Sequence, residues 1–331
     1  KDIEKFQKFD IVHSYPMHLL PTMAKISKET SAKTMISLNG YRRICPKNDL
    51  QYLNEHNCRD NGLLKCTSCI ARTSVEDSGS TLRTAAGRLG NFKLVSDTKQ
   101  DWKYIDKFHA QSPHVKSIYN QFGFNTEAIS VIPNILDEIF CVDHVSTFSE
   151  PYKFLYVGDL NKRKGVQKLP KIAELIDKKG IDFTLSIVGD GNMKNYLSKR
   201  ISNLGIANQV SIEGRVPYQE LPKWYAKHDL FVYPGIWDEP FARVFLESMA
   251  AGTPVVASNV GTIEEILGNG GTVTSGSEES IAEEVARVIY DKKLENQSKN
   301  AYSKVEEYMP SKIIDQFIRE YKNMQYPHTS Y

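Results

Sequence analysis

The chain has 331 residues, of which 40% are apolar and 25% are charged, and a formal net charge of +2 at pH 7. This length suits two domains of about 150 residues, each large enough for its own hydrophobic core. The composition excludes a disordered chain and gives no basic surface for nucleic acid. No run approaches the roughly 18 apolar residues that span a bilayer, and the N-terminus lacks a signal-peptide layout. The sequence therefore predicts a cytoplasmic protein.

The first half of the chain contains four strand-like segments rich in apolar and β-branched residues. They are FDIVH (9–13), KTMISL (33–38), KFHA (107–110) and AISVIP (128–133). Residues 40–83 interrupt this pattern with a cysteine-bearing insertion, and the polar stretch Ile135–Glu150 is typical of a linker. Because the chain begins at Lys1, without Met and in helix-like sequence, we expect the first lobe to be incomplete at its N-terminus.

Four of the five cysteines are crowded into the insertion. Cys45, Cys58, Cys66 and Cys69 are separated by 12, 7 and 2 residues, which is too few and too local for the disulfide framework of a secreted protein. A Cys-x2-Cys pair is a common half of a tetrahedral zinc site. Two interpretations stay open: a structural zinc that fixes the insertion, or four reduced thiols.

The second half alternates strand-like and helical patterns from residue 152 onwards. Strands are predicted at 153–157, 183–188, 209–213, 229–233 and 254–258, and amphipathic helices at 171–179, 192–200, 243–251 and 280–293. This alternation predicts an α/β domain with a parallel sheet covered on both faces. We place the domains at 1–145 and 146–309, followed by a C-terminal helix in 310–331.

The stretch 233–256 contains the strongest functional pattern. A helix beginning near Phe241 would point the free N–H groups of Phe241, Ala242 and Arg243 toward a phosphate. Glu239 precedes this helix and Glu247 lies one turn beyond Arg243. Carboxylates accept paired hydrogen bonds from vicinal hydroxyls, which both sugars and riboses present. The alternative is that Glu239 and Glu247 are two solvated acids at a helix end with no role in binding.

A basic loop follows the first strand of the second half. It carries Lys162, Arg163 and Lys164 at a strand's carboxyl end, where open α/β sheets bind ligands. Arg163 and Lys164 could neutralise the charge that develops on a departing diphosphate; the alternative is an exposed basic turn. The Gly189-Asp190-Gly191 turn is not a dinucleotide fingerprint, because Lys194 occupies the third glycine position.

Together these motifs resemble glycosyltransferase family 4, the retaining GT-B enzymes, over about residues 105–325. The family's Glu-x7-Glu pattern, followed by an apolar helix and Gly-x-Pro-Val-Val, matches Glu239, Glu247 and residues 252–256. The family's Gly-Arg-Leu-x3-Lys-Gly loop matches residues 158–165, with Lys164 at the phosphate-binding lysine. The resemblance also implies donor-binding positions at Gly158, Asp159, Gly189 and Val216. Asp159 stands where the family usually has arginine.

The first lobe resembles the family less closely. His13 ends a predicted strand, and Asn39 stands where many members have histidine. The resemblance places both residues on the acceptor side, although a lone histidine more often has a structural role. The segment PSKIIDQFIREY (310–321) resembles the family's helix that crosses back to the first lobe.

The resemblance implies two facing Rossmann-like lobes and transfer of a sugar, with retention, from a nucleoside diphosphate sugar to a hydroxyl of a glycan or lipid-linked acceptor, as in polysaccharide synthesis. Lys164 and Arg163 would stabilise the leaving diphosphate, Glu239 would orient the donor sugar and Glu247 the ribose, without a catalytic metal or cofactor. Peripheral contact with the inner membrane face would suit a lipid-linked acceptor. Two alternatives remain: an epimerase or phosphorylase of the same architecture, and a non-catalytic subunit that binds nucleotide sugar.

Overall fold

The computed structural model describes residues 3–53, 56–77, 86–92, 95, 99–143 and 145–326. The chain divides into two compact units. Unit 1 comprises Lys1–Pro133 and Ile313–Tyr331, and unit 2 comprises Asn134–Lys312. The predicted insertion at 40–83 belongs to unit 1, and its residues after 77 lie outside the described part of the chain.

Unit 1 is built on a parallel sheet. Its strands are β1 (Ile11–Ser14), β2 (Lys33–Leu38), β3 (Gln51–Tyr52), β4 (His56–Asn57), β5 (Lys107–Ala110) and β6 (Ile129–Val131). Its helices are α1 (Leu20–Glu29), α2 (Leu63–Asp77) and α3 (Pro113–Gln121), and residues 86–92 are also helical. The sheet has the order β1-β2-β5-β6, whereas β3 and β4 form a separate antiparallel hairpin within the insertion.

Unit 2 contains a larger parallel sheet. Its strands are β7 (Tyr152–Val157), β8 (Phe183–Val188), β9 (Val210–Gly214), β10 (Leu230–Tyr233), β11 (Val255–Ser258) and β12 (Gly271–Thr274). Its helices are α4 (Leu169–Asp177), α5 (Lys194–Asn203), α6 (Leu221–Ala226), α7 (Arg243–Ala250), α8 (Ile263–Leu267), α9 (Glu278–Tyr290) and α10 (Leu294–Val305). Strands β10 and β11 are buried along their whole length, as expected for a sheet that helices cover on both faces.

The strand order of unit 2 is β12-β11-β10-β7-β8-β9. The chain therefore starts in the middle of the sheet at β7, builds toward one edge through β9, and returns to build the other half from β10. The loops that follow the adjacent strands β7 and β10 therefore lead toward opposite halves of the sheet. In open α/β sheets, the crevice at this reversal is the usual ligand-binding position.

The five predicted strands of unit 2 correspond to β7–β11, and β12 was missed. Its sequence lies within the run GNGGTVTSG, whose glycines and small polar residues are typical of a loop. All four residues of β12 are only partly buried, because it pairs with β11 alone at the sheet edge. An edge strand of this kind lacks the apolar run on which the other predictions depended.

The boundary between the units lies twelve residues earlier than the predicted one at 145/146. The segment that reads as a linker packs on unit 2: the Phe140 ring is fully buried and lies 5.9 Å from the Tyr225 ring, and the Leu136 N–H donates to the carbonyl of Tyr308 at 2.9 Å. Because this segment is mostly polar, its sequence does not indicate these few contacts with unit 2.

The C-terminal helix, α11 (Pro310–Gln325), joins unit 1 from Ile313 onwards. Its Phe317 ring lies 4.9 Å from the ring of His109, and Glu320 forms a 3.8 Å ion pair with Lys107. The helix therefore covers residues of β5. Within the described residues, no helix combines the length and the apolar character needed to cross a membrane.

Candidate functional site

Two loops of unit 2 meet at the reversal point of its sheet. Lys164 lies in the loop after β7, and its Nζ donates to Glu239 Oε2, in the loop after β10, at 2.6 Å. The same carboxylate oxygen accepts a hydrogen bond from the Tyr233 hydroxyl at 3.1 Å. The side chains of Lys164 and Glu239 are only 16% and 8% exposed. The structure thus brings together the lysine and the first glutamate that the sequence singled out.

Local geometry explains why the Lys164 side chain reaches Glu239 in the neighbouring loop. The Asn161 side chain accepts a hydrogen bond from the Lys164 N–H at 3.2 Å and begins a short 3-10 turn, as an N-cap does. The turn ends at Gly165, whose φ of +72° is left-handed. A Cβ on Gly165 would lie 1.7 Å from the carbonyl oxygen of Pro234. Only glycine lets these two loops approach so closely.

A third loop, after β11, supports Glu239 from its backbone side. A Cβ on Gly261 would lie 2.4 Å from the carbonyl oxygen of Glu239, so the two backbones are in direct contact. The next residue, Thr262, is 1% exposed, and its hydroxyl has no hydrogen-bond partner among the residues that the structure describes. A glycine at this position would leave no such hydroxyl to satisfy.

Arg163 and Trp237 pack against each other beside the lysine. The Arg163 guanidinium lies 4.7 Å from the centre of the Trp237 ring, and Lys164 Nζ lies 5.4 Å from it. Both distances fall within the range of cation–π attraction. Trp237 is 8% exposed, so it fills the interior of its loop. The site consequently concentrates two positive charges around one buried aromatic ring.

Helix α7 begins at Arg243, as the apolar periodicity of 243–251 predicts and two residues after the start near Phe241 expected for the phosphate site. Ala242 is the N-cap residue with extended backbone and makes no side-chain cap. Phe241 belongs to the loop and is buried, with its ring 6.1 Å from that of Tyr308. The exposed Arg243 opens the first turn, in which the Phe245 N–H donates to the Ala242 carbonyl at 3.2 Å, and the first two N–H groups of a helix have no intrahelical acceptor. This end of α7 can therefore hydrogen-bond an anion.

Glu247 lies one turn further along α7. It is 7% exposed, and its Oε2 accepts a hydrogen bond from the Tyr225 hydroxyl at 3.1 Å. Burial raises the pKa of Glu247 above its usual range, and the hydrogen bond from Tyr225 and the charge of Arg243 oppose this effect. Glu247 is thus held by a tyrosine, whereas Glu239 is held mainly by a lysine.

Sequence reasoning missed the side chains that surround Glu247. The Tyr218 hydroxyl donates to Asp137 Oδ2 at 3.1 Å. Burial first, and then the charges of Glu247 and Asp137, raise the pKa of Tyr218 to about 12. Tyr218 and Tyr225 lie in the helical stretch 218–226, whereas Asp137 and Glu247 lie in two other segments of unit 2, so no single motif connects them. One indirect indication was present in the sequence, because Tyr218 follows the implied donor-binding position Val216 by two residues.

The remaining donor-side positions lie on the neighbouring loops. A Cβ on Gly189 would lie 1.9 Å from the carbonyl oxygen of Gly158, so the loops after β7 and β8 are also in contact. The Asp159 side chain is exposed, while its carbonyl accepts a hydrogen bond from the Tyr156 hydroxyl at 3.2 Å. Val216 is partly exposed after β9.

The predicted acceptor-side histidine is part of a hydrogen-bonded chain in unit 1. His109 Nε2 lies 2.7 Å from the Ile132 carbonyl, His109 Nδ1 lies 2.9 Å from the Ser37 hydroxyl, and Ser37 lies 2.9 Å from His13 Nε2. His13 Nδ1 lies 2.7 Å from the Tyr321 hydroxyl of α11. A carbonyl can only accept, so the donor direction of every link follows with both imidazoles neutral.

The structure therefore gives His13 a structural role in unit 1. Burial, reinforced by the neighbouring His109, lowers the pKa of His13 to about 4. Asn39 directly follows β2, at the same edge of the sheet, and is partly buried. Of the two predicted acceptor-side residues, Asn39 is the one outside this hydrogen-bonded chain.

We expect His13 to make unit 1 sensitive to acid. Because its pKa is lower in the folded state than the unperturbed value of about 6.5, the unfolded chain binds more protons between pH 6.5 and 4. The free energy of unfolding should therefore decrease as pH falls through this window, by up to about 2 kcal/mol after solvent screening. Denaturation by urea at several pH values measures the effect.

The matched variant is His13→Gln, whose amide can accept from Tyr321 and donate to Ser37 without titrating. Its stability should exceed or equal that of the wild type at pH 5 and show a shallower loss between pH 6.5 and 4. Identical pH profiles for the two proteins would contradict the assignment.

The four insertion cysteines, together with Cys141, are free thiols. Cys45, Cys58, Cys66 and Cys69 line one recess, whereas Cys141 is exposed elsewhere. Within the described residues, no three His, Cys, Asp or Glu side chains are already arranged around a metal position. The structure therefore gathers the four cysteines without a preformed coordination geometry.

Comparison with known proteins agrees with this fold. The two parallel sheets form the GT-B fold: a crystal structure of HepE from Anabaena, in complex with UDP, superposes with a TM-score of 0.71 and 19% identity, over 96% of this chain and 80% of that one. Residues 143–304 match the model of the family described as glycosyl transferases group 1. The predicted α/β fold class is thereby confirmed.

The sequence relatives include proteins named as glycosyltransferases. An uncharacterized glycosyltransferase of Methanocaldococcus jannaschii is 36% identical over 191 residues, which are 56% of this chain and 47% of that protein. A glycogen synthase of Mycobacterium tuberculosis is 31% identical over 164 residues, which are 49% of this chain and 39% of the synthase. The matched stretch spans less than half of each relative.

Proposed function

We propose that the protein is a retaining glycosyltransferase that moves a sugar from a nucleoside diphosphate sugar to a hydroxyl acceptor of a glycan or lipid. The observation that carries this proposal is the 2.6 Å contact of Lys164 with Glu239 at the reversal point of the unit 2 sheet. The match of residues 143–304 to glycosyl transferases group 1 covers both residues. Because HepE from Anabaena was crystallised with UDP, a uridine diphosphate sugar is the first donor to test.

Each part of the site has a role in this reaction. The first turn of α7 and the ammonium group of Lys164 stabilise the diphosphate as it departs, with Arg163 adding charge beside them. Glu239 orients the donor sugar through its hydroxyls. Glu247, in its tyrosine-lined surroundings, receives the ribose hydroxyls.

The hydrogen bonds of Glu239 support a positioning role for this acid. Its Oε2 already accepts from Lys164 and from Tyr233, which lowers its power as a nucleophile. We therefore propose that no side chain of the protein forms a covalent bond with the sugar. Retention then results because the acceptor approaches the anomeric carbon from the side on which the diphosphate leaves.

A cytoplasmic location and peripheral membrane contact stay predictions.

A ligand panel tests the donor assignment. Nucleoside diphosphates and their sugars are added singly while thermal unfolding is followed, since a ligand that binds the folded state raises the unfolding temperature. We expect one nucleotide to give a clear rise in the wild type and a much smaller one in Lys164→Ala. Lys162→Ala is the matched control, because Lys162 is an exposed lysine of the same turn. Equal responses of the two variants would refute the role of Lys164.

Product analysis then separates the alternatives. Transfer with retained anomeric configuration, seen by NMR, requires an acceptor. Conversion of the nucleotide sugar alone would indicate an epimerase, dependence on free phosphate a phosphorylase, and binding without turnover a donor-binding subunit.

A further inference from the structure

The cysteine-bearing insertion has no part in the proposed reaction, yet its thiols converge. Cys45 follows β2 by a short turn, Cys58 directly follows the hairpin strand β4, and Cys66 and Cys69 lie in the first two turns of α2. Three separate elements thus supply four sulfur atoms to the lining of one recess. The i, i+3 spacing of Cys66 and Cys69 places both on the same face of the helix.

The backbone of this region is conformationally costly. Asn48, Leu50 and Leu53 have φ values of 64°, 52° and 54°, in the left-handed region that costs a non-glycine residue about 1–2 kcal/mol. Leucine has no side-chain hydrogen bond with which to offset this cost. The hairpin β3–β4, which overlaps this stretch, has only two residues in each strand. A bound metal ion would add a stabilising link to this short secondary structure.

Hydrogen-bond donors face one of the sulfur atoms. The backbone N–H of Leu53 donates to Cys69 Sγ at 3.3 Å, and the ammonium of Lys47, 3% exposed at its side chain, lies 3.9 Å from the same sulfur. Backbone donors of this kind orient cysteine ligands around a metal.

We propose that Cys45, Cys58, Cys66 and Cys69 bind one structural Zn²⁺ that holds the hairpin β3–β4 against α2. In the arrangement described, the thiols donate to nearby acceptors, as Cys58 does to the Asp60 carbonyl at 3.0 Å. Binding replaces these contacts by four Zn–S bonds after side-chain rotation, and the four thiol protons are released to solvent. Four thiolates complete a tetrahedral shell, so the ion has no open position for catalysis.

Metal analysis of the intact protein tests this proposal without reference to glycosyl transfer. The chain is purified without a histidine tag, and elemental analysis is expected to find about one zinc per chain. Cobalt(II) offered to the metal-depleted protein should give the visible bands of tetrahedral cobalt and a sulfur-to-cobalt charge-transfer band. Less than about 0.1 zinc per chain, both as purified and after incubation with Zn²⁺, would overturn the site. Iron in its place would equally overturn it.

Variants assign the ligands. The double variant Cys66→Ser/Cys69→Ser should lose the zinc, and Cys141→Ser, at an exposed cysteine outside the recess, should retain it. Should the double variant fail to fold, zinc release from the wild type by a thiol-specific mercurial decides the matter. We expect Cys141, the exposed thiol, to react without releasing zinc, and one equivalent of zinc to appear as the four thiols of the recess react; release without modification of those four thiols would contradict thiolate ligation. Loss of donor binding would leave all these readouts unchanged, so the two proposals fail independently.

Discussion

Glu239→Gln is expected to lower kcat/KM for glycosyl transfer by about 10²–10³-fold, equivalent to about 3–4 kcal/mol of transition-state stabilisation. The substitution keeps the size of the side chain but removes its charge. Lys164 Nζ, held at 2.6 Å from Oε2, would then lack the anion that positions it in a largely buried site. Steady-state kinetics with the donor identified by the ligand panel would measure the loss.

The control for this prediction is Glu295→Gln, at a carboxylate on α10 whose side chain is 72% exposed. It should leave kcat/KM within about twofold of the wild type, because an exposed ion pair contributes little. An unchanged rate in Glu239→Gln, with a normal unfolding temperature, would show that this acid does not act in the reaction.

Gly165→Ala should destabilise unit 2 by about 2–4 kcal/mol, since the left-handed conformation and the overlap with a neighbouring backbone add together. The added methyl would lie 1.7 Å from the Pro234 carbonyl oxygen. The loop that carries Lys164 must therefore move away from the loop that carries Glu239. Loss of nucleotide binding should accompany the loss of stability, and both are measurable by thermal unfolding with and without ligand.

Gly180→Ala provides a matched comparison for the same conformation without the contact. Gly180 has φ of +77°, close to that of Gly165, but a Cβ there has nothing within 4 Å. Its cost should be about 1 kcal/mol, and nucleotide binding should be retained. Equal effects of the two alanines would contradict the close approach of the loops.

The sequence predicted the donor side of the site because its residues lie in short, ordered motifs. Glu239, Glu247 and the start of α7 occupy nine consecutive positions, and helical spacing places Glu247 about one turn beyond Arg243. Lys164 is distant in the chain, but it follows a predicted strand. The rule that ligands bind at the carboxyl ends of parallel strands therefore predicts its proximity to Glu239.

What the sequence could not predict depends on contacts between distant segments. Tyr225 donates to Glu247 from α6, a helix of six residues that is too short for a periodic pattern. Asp137 lies in a segment that reads as a linker, and its hydrogen bond with Tyr218 connects it with the site. His13 was a candidate for acceptor contact, and its partners Ser37, His109 and Tyr321 became visible only in the fold.

The two-piece composition of unit 1 affects how the protein can be synthesised. Unit 2 is one uninterrupted stretch, Asn134–Lys312, whereas unit 1 also requires Ile313–Tyr331. As the ribosome extends the chain from its amino end, unit 2 has all its residues available first and can fold as a unit. The hydroxyl of Tyr321 that completes the hydrogen-bonded chain of His13 emerges from the ribosome only after the whole of unit 2. Until then, the sheet of unit 1 lacks the helix α11 that covers it.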